Sequence, residues 1–281
     1  MSEIAQVGSN DPSLDTVYIT AKRVCRIITA AGYDSVLFGS LASYLYGNRR
    51  VPRDVDVLVM PYPSPNLPRD PDGIKDLIIR KQVEFPELAQ IGHFFIIVSR
   101  HRFKPHRDLW FMCRSTGRQE VCKIDIAVPG MMSLPPIPQS GMKWLTAEIE
   151  CANVEWGIFC VAPISVVLLS LLFAWDEHGK KGAAYVDYVD ILILIGCRSR
   201  RRDIKTSLAM ESTKGIWALF DSEFQRETRK RVVRFCESEA SSSSSRAPPR
   251  AQPDTEIAEW WAEIGFSNTV RKVSVVSRLI R

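Results

Sequence analysis

The chain has 281 residues, of which 46% are apolar and 25% charged, enough to bury a core in one large or two small domains. Its net charge of +5 favours anionic partners. The seven cysteines are scattered, odd in number and free of CxxC or Cys/His clusters, which speaks against a zinc site and for reduced, buried thiols.

The N-terminal stretch MSEIAQVGSNDPSLDT carries two early acids and neither a secretory nor a transit pattern, so a cytoplasmic location is expected. Residues 14–31 place apolar side chains at helical spacing and stop at Gly32. Ser35 to Phe38 reads as a short buried strand. Gly39-Ser40 then opens a helical piece that ends at Gly47. DVDVLVM, Asp54 to Met60, reads as a strand, and a Pro-rich loop separates it from a helix near 73–83. Three further strands are predicted at 93–99, 108–113 and 121–128 from their β-branched and aromatic content. The apolar stretch from Ile158 to Trp175 reads as a buried core helix and not a membrane span, with Pro163 near its first position. AAYVDYVDILILIG is a second helix, ending at Gly196. Residues 198–234 hold eleven basic and five acidic residues. Residues 238–254 are low-complexity and read as a flexible linker. A short amphipathic helix with Trp260 and Trp261 is expected to dock back on the body.

Three pieces of this pattern carry chemistry. A strand running into Gly39-Ser40 and a helix exposes backbone N–H groups at a helix N-terminus, which attracts phosphate. In Asp54-Val55-Asp56-Val57, strand alternation sends both carboxylates to one face, about 6.6 Å apart along the backbone, and both valines to the core. Two such carboxylates repel unless a cation lies between them, and hard oxygen donors suit Mg²⁺. Asp125 stands inside the strand-forming run KIDIA, where an unpaired acid is costly. If that strand lies beside 54–60, Asp125 completes a three-carboxylate site.

Phe38-Gly39-Ser40, thirteen residues, Asp54-Val55-Asp56-Val57 and a later strand Asp together resemble the signature of the DNA polymerase β-like nucleotidyltransferase superfamily, over about residues 14–128. The resemblance implies an α+β fold, with a mixed β-sheet, flanking helices and a helical domain behind. It implies a nucleoside triphosphate held on Gly39 and Ser40, and Mg²⁺ (or Mn²⁺) held on Asp54, Asp56 and Asp125. The expected divisions are a catalytic domain over 1–150, a helical domain over 151–237, the linker at 238–254 and a C-terminal helical segment over 255–281.

The second half is loosely similar to the AbiEii and minimal nucleotidyltransferase groups, through LLSLLFAW and the spaced acids Asp187 and Asp190. Ser170 and Val186 stand where those relatives carry lysines, and Lys180 and Lys181 are the substitutes expected to bind the nucleotide. A solvated face is an equal reading for Asp187 and Asp190. The expected reaction moves an NMP from an NTP to a hydroxyl on RNA, protein or a small molecule, with no membrane partner. A non-catalytic nucleotide- or RNA-binding module on the same fold is the alternative, and an antibiotic-type adenylyltransferase is a third. Arg49, Arg50 and Arg53 could reach phosphate or serve as loop charges. The basic run 198–234 reads slightly better as a solvated helix face than as an RNA contact.

Overall fold

A computed structural model describes residues 11–60, 68–99, 106–114, 119–131, 147–150, 157–179, 185–210, 212, 215–242 and 253–270. The chain divides into two compact units, 1–162 and 163–281.

The first unit begins with helix α1, Leu14–Ala30. Ser13 caps it by accepting from the Thr16 N–H, and Asp15 in the first turn complements the helix dipole. Strand β1, Asp34–Phe38, leads directly into α2, Gly39–Leu45, and then β2, Asp54–Met60, follows. Helix α3, Pro71–Lys81, starts where Asp70 accepts from the Gly73 N–H at 2.9 Å and Pro71 occupies the first turn. A 3-10 turn, Gln82–Glu84, and a short helix α4, Pro86–Ile91, precede β3, Gly92–Ser99. The unit ends with β4, His106–Cys113, β5, Glu120–Ala127, β6, Ala147–Glu150, and β7, Ile158–Val161.

These strands form one mixed sheet in the order β3-β4-β5-β2-β1-β7-β6. β2 is central, antiparallel to β1 and parallel to β5. Helices α1 and α3 pack against one face of it. That face is the core: Val55, Val57, Ile124, Leu109 and Phe111 are fully buried beneath Val17, Ala21, Val24 and Ile28. The α+β class expected from the sequence is the class observed. Two strands were not expected from the sequence, β6 and β7. Ile158–Val161 is not the start of a helix but strand β7, which pairs with β1 and places the Ala162 N–H on the Leu37 carbonyl at 2.7 Å. The sheet therefore extends past residue 150.

The second unit is helical over its described residues. It contains α5, Ile164–Gly179, α6, Tyr185–Gly196, α7, Arg198–Leu208, a 3-10 turn at Ile216–Leu219, α8, Ser222–Ser242, and α9, Pro253–Trp261, which runs on into a π-helical turn, Ala262–Phe266. Helix α8 continues five residues into the stretch expected to be linker. Trp261 is fully buried, edge-on to Phe235 and Phe266, so α9 does dock back onto this unit.

Candidate active site

The strand pair β2–β5 assembles the acidic cluster. Their parallel register sets Asp54 beside Lys123 and Asp56 beside Asp125. Partners across adjacent strands share a face, so all four side chains leave the sheet on the side opposite α1 and α3. The condition that the sequence left open, that the Asp125 strand lies next to 54–60, is met in the fold.

Gly39-Ser40 closes one end of the cluster. Phe38 pairs with Asp56 across β1 and β2, so the turn into α2 begins directly above that carboxylate. The Ser40 hydroxyl donates to Asp54 Oδ1 at 2.9 Å, and the Ser40 N–H to Asp56 Oδ2 at 3.4 Å. Gly39 has φ +61°, and a Cβ added there would stand 1.9 Å from Asp56 Oδ2. Glycine is required twice over, by the left-handed backbone and by the carboxylate packed against its Cα.

Electrostatics single out Asp56. Burial, then the charges of Asp54 and Asp125, push its carboxyl well above the usual carboxylate range, against the opposing Ser40 N–H bond and Lys123 charge. Lys123 is the local cation. Its Nζ lies 3.0 and 3.2 Å from the two oxygens of Asp125 and 3.3 Å from Asp108 Oδ1. Burial draws its pKa down, but the bonds and charges of Asp125 and Asp108 outweigh this and the net shift is upward. His106 Nε2 reaches Asp108 at 3.1 Å. Lys123, Asp108 and His106 were not among the expected site residues. Lys123 was legible by alternation, two positions before Asp125. Asp108 and His106 join only through the β4–β5 pairing, which no local pattern specifies.

The residues can be tested against Mg²⁺. Three carboxylates are the donors this ion takes, and the raised Asp56 carboxyl marks a point short of positive charge. Among the described residues, however, no three His, Cys, Asp or Glu side chains close on one point as a ligand set. Both Asp125 oxygens face Lys123, and Asp54 Oδ1 faces Ser40. The donors fit in kind, and side-chain rotation is needed to complete them.

Other expected participants fare differently. Lys180 and Lys181 lie outside the described residues. Asp187 and Asp190 do not form a solvated face, because both are buried, and Asp187 meets His178 Nδ1 at 2.5 Å. The Ser170 hydroxyl turns back to the Val167 carbonyl at 2.9 Å. Much of the basic run is paired within its own unit: Arg201 with Glu263, Arg231 and Arg234 with Asp176, and Arg226 and Lys230 with Glu227. Arg53 pairs with Asp11. Cys160, expected to be buried, is exposed on β7. No helix over the described residues is long and apolar enough to cross a membrane.

No family model matches this chain, and no curated protein does. Solved structures do. An antigenic nucleotidyltransferase-like protein from Paracoccidioides brasiliensis is 15% identical, with 71% of this chain and 88% of that one covered and a TM-score of 0.42. JHP933 from Helicobacter pylori is 14% identical over 94% and 97% of the two chains, with a TM-score of 0.43. A cytoplasmic RNA terminal U-transferase is 15% identical over 68% of this chain and half of its own length, with a TM-score of 0.25.

Proposed function

We propose that this chain is a Mg²⁺-dependent nucleotidyltransferase of the DNA polymerase β-like type, moving an NMP from an NTP to a hydroxyl acceptor. The observation that carries the reading is the register of β2 against β5, which gathers Asp54, Asp56 and Asp125 on one sheet face next to Gly39-Ser40. Asp54 and Asp56 would hold Mg²⁺, with Asp125 as the third carboxylate. When bound, the ion would neutralise phosphate charge and clamp the attacking and leaving oxygens of an in-line displacement. Ser40 and the bare backbone of Gly39 would orient the triphosphate, and Asp125 would orient the acceptor hydroxyl and take its proton.

Incubation of the full chain with Mg²⁺, labelled NTPs and a total-RNA pool tests this. Label is expected to transfer with the native chain and to fall by at least about a hundredfold in Asp54→Asn, the order of loss that accompanies removal of an electrostatic stabiliser. Absence of transfer, or transfer undiminished in the variant, would end the reading.

A second reading rests on a separate observation. The Ser170 hydroxyl is spent on its own helix, where a lysine would have gripped phosphate. A nucleotide-binding module without turnover would show calorimetric NTP binding and no label transfer.

A further inference from the structure

Within the nucleotidyltransferase reading, we infer that Lys123 is a positioning residue that holds Asp125 out of the metal-ligand set until a divalent cation arrives, and that Asp108 receives the Lys123 ammonium when it does.

The geometry supports each half of this. Lys123 Nζ straddles Asp125, 3.0 Å from one carboxylate oxygen and 3.2 Å from the other. A divalent ion bound by Asp125 needs at least one of those oxygens and would stand close to a positive ammonium, so ion and ammonium compete for one carboxylate. The displaced ammonium has a destination. Asp108 Oδ1 already lies 3.3 Å from Nζ, with only 18% of its side chain exposed. Asp108 is itself steadied from beyond by His106 at 3.1 Å. Passing Lys123 from Asp125 to Asp108 therefore requires rotation at the end of a four-carbon side chain and no change in the sheet. Without Asp108, the released ammonium would be left partly buried with no counter-charge beside it, which disfavours release.

The two sides of this exchange have opposite signs, which makes them separable from a general disturbance of the site. Removing Lys123 frees Asp125 and should tighten metal binding. Removing the Asp108 charge leaves Lys123 with Asp125 alone and should weaken it. The test is calorimetric titration of Mn²⁺ into the full chain, without nucleotide. Lys123→Met, and Lys123→Gln as a variant that keeps polarity, are expected to bind Mn²⁺ roughly five- to tenfold more tightly than the native chain. Asp108→Asn is expected to bind it more weakly by a similar factor. Thermal melts in the absence of metal confirm that each variant is folded. Equal affinities across the series, or shifts of the same sign in the lysine and aspartate variants, would overturn the positioning role while leaving a metal site in place. Failure of every chain to bind Mn²⁺ would overturn both this inference and the metal-dependent reading beneath it.

Discussion

Asp56 is asked to ionise beneath Gly39, flanked by Asp54 and Asp125. Its raised pKa means that the folded chain keeps a proton the unfolded chain has already lost, so ionisation of this group opposes folding. The penalty is absent below the unfolded carboxylate pKa of about 4, grows as pH rises toward the folded value, and stays in full above it. Asp56→Asn removes it. At pH 7 without metal, the variant is expected to melt higher than the native chain. The gain should shrink as the pH is lowered toward 4, and a calorimetric melt across that range checks the sign. A lower melting temperature at pH 7 would contradict the electrostatic account. The pairing of Asp54 with Asp56 was legible in the sequence, because period-two alternation is a local rule. The need for glycine at 39 was legible as a turn, but its second cause, the Asp56 carboxylate against its Cα, is a contact across the sheet.

At the scale of elements, the site depends on β5 staying in register with β2, and α1 is tied to the start of β5. Glu120 accepts from the Ser13 N–H at 3.0 Å, the Ser13 hydroxyl at 2.6 Å and the Thr16 hydroxyl at 2.5 Å. Thr16 is fully buried, so loss of its acceptor leaves a donor that water cannot reach. Glu120→Ala is expected to cost about 1–3 kcal/mol, seen as a lower urea midpoint with unchanged slope. Mn²⁺ affinity should be retained, because Glu120 and Asp125 leave β5 on opposite faces. The α1 and α3 helices were readable from apolar spacing and caps, both local signals. Strand β7 was not. Its four residues merge into the apolar run of α5, and their pairing with β6 and β1, with the bond from Ala162 to Leu37, sets them apart as a strand. Helix α8 outran its expected end because serine is merely a weak helix former, not a breaker.

Across the whole molecule, the sheet unit and the helical unit each join a buried apolar core to paired charges. The first buries an apolar face under α1 and α3 and pairs Arg107 of β4 with Asp76 of α3. The second also uses charge, with Asp176 and Arg231 each only 11% exposed at the side chain and Arg234 completing the cluster. The basic run reads from the sequence slightly better as a solvated helix face than as an RNA contact, and in the fold several of its charges answer acids within its own unit. The pairings of Arg201 with Glu263 and of Arg231 and Arg234 with Asp176 join residues tens of positions apart, which a reading along the chain cannot see. Of the carboxylate cluster, the Asp54–Asp56 pair was visible from the chain because both share a strand, and Asp125 was visible as an acid in a strand-forming run, but its place beside Asp56 comes only from the β2–β5 register. Its resident counter-ion, Lys123, makes the central claim open to direct test. A crystal structure of the full chain grown with Mn²⁺ and a non-hydrolysable NTP analogue should show anomalous density at roughly 2 Å from oxygens of Asp54 and Asp56, with the triphosphate over Ser40 and Lys123 turned from Asp125 to Asp108. Mn²⁺ bound elsewhere, or an analogue seated away from Gly39-Ser40 with the Lys123–Asp125 pair intact, would contradict the account.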